Sequence, residues 1–391
     1  MLNSTKTVIC GAGIAGISTA YHLAVKQGIK DIVLVDERPP LSLTSDKSTE
    51  CYRNWWSGPD DAMVSLMNHS IDLMEAYASQ SKNVFRLNRR GYLYVTSNSE
   101  AIPEFVDAAK KPSRLGAGPL RIHRGLADDP EYVPAPSEGF PLAPSGADLF
   151  LEPKLIEKHF PYLTKTAAAV LHVRRAGWFS AQQLGMYLLE SARAQGVEVI
   201  RARVTNVNIS GEQVESVQLS NGDNIPIRSF VNAAGPFTKE VGKMLGIDLP
   251  IFTELHLKVA FHDAIGAVTR EAPLLIWSDS QKLPWSDEEI AFLGEDESTR
   301  WLLNEMPPGA HTRPEGGVDS DIMLLLWEYQ SKNMAPIIPP PLDTMYPEIA
   351  LRGMAAMLPR FQSYFERMPQ PMLDGGYYTK TRENRPLIGP L

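Results

Sequence analysis

Apolar residues near the N-terminus form two short runs separated by a glycine-rich turn and a stretch with helical spacing. The first run, Thr7–Cys10, leads into the turn at residues 11–16, and the second run, Ile32–Asp36, ends on an acid. A short apolar run bounded by turn residues is typical of a buried strand. The pattern therefore predicts a strand–helix–strand unit over about residues 5–37.

The glycines of this turn have the spacing that binds a dinucleotide. Gly11 permits the tight turn, Gly13 lets the backbone approach a pyrophosphate, and Gly16 lets the helix pack closely on the strand. The helix N-terminus adds free N–H groups and the positive end of its dipole. Asp36 stands twenty positions after Gly16, where a carboxylate accepts hydrogen bonds from a ribose diol. The alternative, an ordinary turn with nothing bound, leaves this acid unexplained.

A polar, hydroxyl-rich loop follows over residues 38–58, and a loop of this length inside a domain is usually functional. Apolar residues then recur at helical spacing from Met63 to Tyr77, and residues 91–95 alternate like a strand. Residues 111–150 are rich in proline and glycine, which predicts a surface loop.

A second organised block begins at Ser180. Ser180 and Gln183 form a capping-box pattern, and Gly196 ends the predicted helix. We expect strands at 197–208 and 213–219 and a further strand over 230–236 that returns to the first sheet.

The pattern predicts an α/β protein, α+β overall, with a Rossmann-like nucleotide-binding domain and a second, substrate-binding domain built on a mostly antiparallel sheet. The predicted boundaries are 1–85 plus 151–249 plus 361–391 for the first domain and 86–150 plus 250–360 for the second.

Composition narrows the possible partners. The chain has 391 residues, 43% of them hydrophobic and 21% charged, and a net charge of −8. This charge argues against a nucleic-acid partner, so an anionic substrate has to be held by local cations. Two cysteines supply neither a disulfide framework nor a structural zinc site, and no metal site is predicted. No apolar run is long enough to span a membrane, and the first apolar stretch is a strand of the fold, so we expect a cytoplasmic protein.

The chain resembles the D-amino-acid oxidase, sarcosine oxidase and glycine oxidase superfamily of FAD-dependent oxidoreductases. The segments that carry the resemblance are 11–16 with Asp36, 176–180, 196–199, 232–236, 313–316 and 381–390. The resemblance covers almost the whole length and implies noncovalent FAD. It places the adenosine ribose at Asp36, the adenine near Val204, and the phosphates and flavin near the hydroxyls that follow Asp36. The cofactor-binding residues expected are Gly11, Gly13, Ile14, Ala15, Gly16, Asp36, Glu37, Ser45, Ser48, Thr49, Val204, Ala233, Ala234 and Gly235.

The same resemblance implies transfer of a hydride from a small amine, an amino acid or N-methyl amino acid, to flavin N5. A substrate carboxylate needs a cation, and guanidinium offers bidentate geometry. The resemblance points first to Arg53 and second to Arg313 for this role, each with an ordinary salt-bridged arginine as the alternative. His256 and His262, on one predicted strand, are candidate general bases, with a merely hydrogen-bonded histidine as the alternative.

Three departures from the family pattern bear on function. Residues 375–379 have no cysteine and residues 37–58 have no histidine, so covalent flavin attachment is not expected. Residues 322–327 lack the lysine that oxidases of this kind place over the flavin, which favours a dehydrogenase with an unknown electron acceptor. The sequence stops at Leu391, before a final strand and helix of the family. Oxidation of a 2-hydroxy acid or polyol phosphate, or a catalytically silent truncated relative unable to hold FAD, remain alternatives.

Overall fold

The computed structural model describes residues 6–317 and 319–390. Within them the chain forms eighteen strands: β1 (Thr7–Cys10), β2 (Ile32–Asp36), β3 (Cys51–Arg53), β4 (Tyr92–Thr96), β5 (Leu120–His123), β6 (Ala147–Phe150), β7 (Ala169–Val173), β8 (Ala176–Trp178), β9 (Glu198–Arg201), β10 (Val204–Ser210), β11 (Gln213–Leu219), β12 (Asn224–Pro226), β13 (Ser229–Asn232), β14 (Ile251–His262), β15 (Leu274–Trp277), β16 (His311–Pro314), β17 (Ile322–Leu326) and β18 (Met372–Thr381).

The same part of the chain forms nine α-helices: α1 (Ile14–Tyr21), α2 (Thr44–Lys47), α3 (Ala62–Gln80), α4 (Ile102–Pro112), α5 (Pro153–His159), α6 (Ala181–Ala194), α7 (Thr238–Met244), α8 (Asp287–Glu295) and α9 (Tyr346–Ala355). None of these helices combines the length and the apolar character needed to cross a membrane.

A four-stranded parallel sheet in the order β13-β1-β2-β9 contains the predicted strand–helix–strand unit. Helices α1 and α6 pack on one of its faces, where Ile9, Ile17 and Leu188 are buried together. Cys10 lies opposite both Val35 and Asn232, so three strands end at one edge of the sheet. Ligands of parallel α/β sheets bind at this carboxyl edge.

The second large sheet has nine strands in the order β18-β14-β17-β16-β15-β4-β7-β6-β5. Its pairs are antiparallel except β15 with β4 and β5 with β6. The combination of a Rossmann-like parallel sheet with a second, mostly antiparallel sheet confirms the predicted fold class. Two small antiparallel sheets, β10-β11-β12 and β3-β8, complete the strand pairing described.

The two faces of the nine-stranded sheet have different environments. Val259 and Phe261 of β14 are fully buried in a large core cluster that includes much of α9. Side chains alternate along a strand, so His256 and Lys258 project from the opposite face. That face meets the polar loop, because Lys258 Nζ lies 3.4 Å from the carbonyl oxygens of Asp46 and Ser48.

The structure differs from the sequence expectations in three segments. The strand expected over 197–208 is two strands, β9 in the parallel sheet and β10 in a separate sheet, because the chain changes sheets at residues 202–203. The loop at 38–58 contains α2 and β3, and the proline-rich segment 111–150 contains β5 and β6. Short elements of this kind carry too few residues to show a period.

The division of the chain into two domains stays a prediction. Strand pairing differs from it at β7 and β18, which the predicted boundaries assign to the nucleotide-binding domain and which pair within the nine-stranded sheet. Every residue of β7 is buried, and β18 shows no regular alternation of apolar and polar residues, so the sequence pattern does not reveal which sheet these strands join.

A buried charge cluster stabilises the far edge of the nine-stranded sheet. Asp148, 1% exposed, accepts from Arg174 Nη1 at 2.6 Å, from Arg121 Nε at 2.6 Å, and faces His123 Nε2 at 3.0 Å. Burial alone would raise the pKa of Asp148, but the hydrogen bonds from Arg121 and His123 and the charge of Arg174 hold it well below its ordinary value of 3.8.

We expect Asp148→Asn to lower the free energy of unfolding by about 3 kcal/mol, because the buried Arg174 loses its charged partner. Urea unfolding at neutral pH measures the change, and Asp107→Asn, on an exposed pair with Lys110, should cost less than about 0.5 kcal/mol. Since the folded pKa of Asp148 is depressed, this stability is present above pH 3.8 and is lost as the pH falls through the folded pKa. An unchanged midpoint for Asp148→Asn would contradict this account.

Candidate active site

Close backbone packing requires glycine at two positions of the first turn. Gly11 has a φ of +109°, and a Cβ there would lie 2.2 Å from the carbonyl oxygen of Ala233. A Cβ on Gly16 would lie 1.9 Å from the carbonyl oxygen of Gly11. Both distances are far inside van der Waals contact, so the turn, α1 and the end of β13 pack together only because side chains are absent.

Gly13 is a different case, because its surroundings are open. Its φ of −77° suits any residue, and a Cβ there would meet only Ser45 Oγ, at 3.3 Å. Helix α1 begins at the next residue, and the N–H of Ile14 donates to Ser45 Oγ at 2.9 Å. The glycine at this position therefore leaves space above the helix N-terminus, where an anion is favoured.

The carboxylate of Asp36 faces the same turn. Its Oδ2 accepts from the N–H of Ala12 at 2.8 Å and its Oδ1 accepts from the N–H of Arg38 at 2.9 Å. A carboxylate oxygen can accept more than one hydrogen bond, so both oxygens retain acceptor capacity for a diol. The carboxylate of Asp36 therefore lies beside the glycine turn at the end of β2, as the sequence predicts for a dinucleotide-binding crevice.

The remaining residues of the predicted cofactor set lie around this edge in differing environments. Ala233 donates its N–H to Cys10 O at 2.9 Å, which aligns the end of β13 with the turn. Ala234 and Gly235 follow it, and Gly235 O accepts from Thr379 Oγ1 at 3.2 Å. Val204 is 4% exposed and packs among apolar side chains at the start of β10.

The other members of the set lie on α1 and along the polar loop. The carbonyl of Ala15 accepts from Thr19 Oγ1 within α1, and Glu37 is exposed, 3.9 Å from Arg203 Nη1. Ser48 Oγ accepts from the N–H of Glu50 at 3.0 Å, and Thr49 is buried. The loop thus runs from the helix N-terminus to the inner face of the nine-stranded sheet.

Arg53 lies where this loop meets the sheet. Its guanidinium carbon is 4.0 Å from the ring centre of Trp56 and 5.6 Å from that of Tyr92. Arg53 is half-buried, its Nε is buried without a hydrogen-bond partner, and no carboxylate in the described ranges forms an ion pair with it. Burying a cation without a paired anion is unfavourable, so this arrangement fits a site that receives an anion.

Arg313 has protein partners in place of an open position. It is 0% exposed, and its Nη2 lies 2.7 Å from Glu315 Oε2 and donates to the carbonyl of Thr49 at 2.8 Å. Its Nη1 donates to the carbonyl of Pro314 at 3.0 Å. The structure therefore shows Arg313 holding the loop against the sheet, and we do not extend the predicted substrate role to it.

His256 is enclosed between two carboxylates and an aromatic ring. Its Nε2 is 3.2 Å from Glu254 Oε2, its Nδ1 is 2.7 Å from Glu328 Oε1, and its ring stacks on Tyr378 with centroids 4.1 Å apart. Both ring nitrogens thus have a carboxylate oxygen nearby, although Nδ1 makes no well-aligned hydrogen bond. The general-base role predicted for His256 stays untested, and the contacts favour a positioning role.

His262 lies on the same unbroken strand, as expected, but at its far end. Its side chain is 59% exposed and its Nδ1 is 2.7 Å from Asp321 Oδ1. The structure therefore does not bring His262 together with Arg53 and His256.

Three further residues at the site were missed by sequence reasoning. Glu328 follows β17, His311 begins β16, and Lys258 lies on β14 directly opposite Leu326. Residues 322–327 contain no lysine, but the neighbouring strand β14 presents Lys258 to the same face of the sheet as Leu326. The alternation of polar residues 254, 256 and 258 along β14 was the signal available.

The glycine turn, the N-terminus of α1 and the acid at the strand end fit a dinucleotide. These features define a two-sheet, dinucleotide-binding protein of the α/β class. A family model described as FAD dependent oxidoreductase matches residues 6–390. The chain belongs to this family of FAD-dependent enzymes.

Individual curated proteins share only about a quarter of their residues with this chain over the aligned segments. The chain is 26% identical over 315 residues to mitochondrial dimethylglycine dehydrogenase from Homo sapiens, covering 78% of this chain and 33% of that protein. It is 27% identical over 258 residues to the mitochondrial pyruvate dehydrogenase phosphatase regulatory subunit from Mus musculus, covering 64% of this chain and 25% of that protein. The chain thus spans a third or less of the length of these relatives.

A solved structure confirms the fold over the whole chain. L-proline dehydrogenase from P. horikoshii superposes with a TM-score of 0.71 at 17% identity, covering 100% of this chain and 86% of that one. At this identity the likeness concerns the fold alone.

Proposed function

We propose that this protein oxidises a small amino acid or N-methyl amino acid at a carbon bonded to nitrogen. FAD, when bound, supplies the acceptor for the hydride at flavin N5. The observation that carries the substrate class is the half-buried guanidinium of Arg53, whose Nε is buried without a hydrogen-bond partner and which has no carboxylate partner among the described residues. A guanidinium in this position suits the carboxylate that every such substrate carries.

Names of relatives support the same substrate class, since one of them is a dimethylglycine dehydrogenase. Within this chain, different residues bind the cofactor and the substrate. The turn and Asp36 hold the dinucleotide, Arg53 orients the carboxylate, and the sheet face with Tyr92 and Tyr378 excludes water from the reacting carbon. Holding the substrate in one orientation lowers the entropic part of the barrier.

The predicted preference for a dehydrogenase rested on the missing lysine in β17. Lys258, on the adjacent strand and facing the loop carbonyls of Asp46 and Ser48, removes that argument. The proposal therefore makes no choice between oxygen and another electron acceptor. The cytoplasmic location also stays a prediction, and the names of the two relatives cited place those proteins in mitochondria.

A panel of substrates under anaerobic conditions tests the proposal. We expect N-methyl amino acids or primary amino acids to bleach the blue-light absorption of the bound flavin, because hydride transfer reduces it. The same concentrations of 2-hydroxy acids and polyol phosphates should leave the spectrum unchanged. Bleaching by the hydroxy compounds alone would overturn the amine assignment.

The name of the regulatory subunit supports a second candidate, a relative of these enzymes with a non-catalytic role. The same panel distinguishes it. Protein that binds FAD and is bleached by dithionite, but by no compound of the panel, would support this second candidate.

A further inference from the structure

Opposite charges occupy two positions along the site-facing side of the nine-stranded sheet. Directly opposed residues run across the strands in one row that consists of Tyr94, Ile276, His311, Leu326 and Lys258. Opposed residues of neighbouring strands project to the same face. Arg53 lies against β4 at one end of this row, over the ring of Tyr92.

Glu328 lies toward the other end of that row. It stands two residues after Leu326, with the intervening Trp327 buried in the core on the far side of the sheet. His311 lies between the two charges. Burial lowers the pKa of His311, the nearby Glu328 carboxylate opposes this, and the charges of His256 and Arg53 add to it. One imidazole thus lies within electrostatic range of both Glu328 and Arg53.

The charge of Glu328 is available to a ligand. The neighbouring Glu254 pairs with Lys380 Nζ at 2.7 Å, whereas Glu328 forms no ion pair with a lysine or arginine in the described part of the chain. Its side chain is 46% exposed, and its close contact is His256 Nδ1 at 2.7 Å. His256, which stacks on Tyr378, lies beside this carboxylate.

An open space lies beside this carboxylate. A cavity of about 170 Å³ lies where β17 stops pairing with β14, and beside His256 its charged lining residues are Glu328, Asp343 and Lys332. A cation in this cavity is attracted by the two carboxylates and repelled by Lys332.

We propose that Glu328 recognises the positively charged amine of a substrate whose carboxylate Arg53 holds, so that the site selects zwitterionic N-alkylated amino acids. This rests on the proposed function and adds the residue that distinguishes an amine from a hydroxyl. Aliphatic amines are protonated at neutral pH, whereas the hydroxyl of a 2-hydroxy acid is neutral and a polyol phosphate carries only negative charge. The Glu328 carboxylate attracts the charge of the amine, offers the hydroxyl only a hydrogen bond, and repels the phosphate.

Two ligands of equal shape test this directly. N,N,N-trimethylglycine carries a cationic nitrogen, and 3,3-dimethylbutanoate has carbon at the same position, so the pair differs only in that charge. Titration calorimetry of each ligand into the FAD-loaded protein measures binding without turnover. We expect the wild type to prefer N,N,N-trimethylglycine by about tenfold.

The variant Glu328→Gln keeps the size of the side chain and removes its charge. It should lose most of this preference while its affinity for 3,3-dimethylbutanoate stays within about twofold of wild type. Glu288→Gln, on an exposed residue of α8, should keep the full preference. Undiminished preference in Glu328→Gln overturns the inference while the proposed function stands, because the carboxylate of 3,3-dimethylbutanoate still binds. If neither ligand binds to wild type, the proposed substrate class fails and this inference with it.

Discussion

Gly13→Val should give a folded protein that no longer retains FAD. The backbone at Gly13 has an ordinary φ, and its Cβ position meets only Ser45 Oγ, at 3.3 Å, so the fold has to accommodate only a small shift of that side chain. The two added methyl groups occupy the space above the N-terminus of α1, where a pyrophosphate has to approach the backbone. We expect FAD affinity to fall at least about 100-fold, or about 3 kcal/mol.

Thermal unfolding with and without FAD measures this loss and checks the fold in one experiment. Ligand at a hundred times its Kd stabilises wild type by about 2.7 kcal/mol, whereas Gly13→Val should show no shift at the same concentration. Gly294→Val is the matched control, because a Cβ there meets nothing nearer than Leu303 Cδ1 at 3.9 Å. Valine is a better helix former than the glycine it replaces, so the intrinsic stability should not fall, and the FAD-induced shift should match wild type. A normal shift in Gly13→Val would place the dinucleotide elsewhere.

Arg53→Met should raise the KM for a carboxylate-bearing substrate about 100-fold and change kcat far less. Methionine keeps an apolar stem against Trp56 and Tyr92 but removes the charge-assisted hydrogen bonds to the substrate, which are worth about 1.5–3 kcal/mol each. A group that binds substrate and transition state equally affects mainly KM. Steady-state kinetics with the best amine of the panel measures the change.

Two comparisons separate anchoring from a structural role. Arg53→Lys retains the charge without the bidentate geometry, so it should recover part of the loss. Arg193→Met, on an exposed position of α6, should behave as wild type. If Arg53→Met lowers kcat and thermal stability but leaves KM unchanged, Arg53 supports the fold and does not hold the carboxylate.

The nucleotide-binding part of the fold was predictable because its signals are local. Gly11, Gly16 and Asp36 lie within one strand–helix–strand unit, where Gly11 has a positive φ, Gly16 packs on the carbonyl of Gly11, and Asp36 accepts from Ala12. The helix that begins after Ser180 was equally clear, since Ser180 Oγ accepts from the N–H of Gln183 at 3.3 Å as the cap pattern predicts. Local capping chemistry survives in any tertiary context.

The substrate side was less predictable because residues far apart in sequence create it. Glu328 becomes part of the site only because β17 pairs with β14, which brings its carboxylate within 2.7 Å of His256 Nδ1. Arg53 and Arg313 look alike in the sequence, and only the position of Glu315 and the Thr49 carbonyl distinguishes the buried ion pair from the open cation. These contacts depend on the order and register of the strands, which cannot be predicted from neighbouring residues in the sequence.

The central claim is that one FAD molecule lies noncovalently in the crevice formed by the first glycine turn and Asp36. Loading the purified protein with FAD, removing the excess by gel filtration and precipitating the protein with acid tests it. The account predicts about one flavin per chain after filtration and all of it in the supernatant after precipitation. Protein that stays colourless in excess FAD, or flavin that remains in the precipitate, would contradict it.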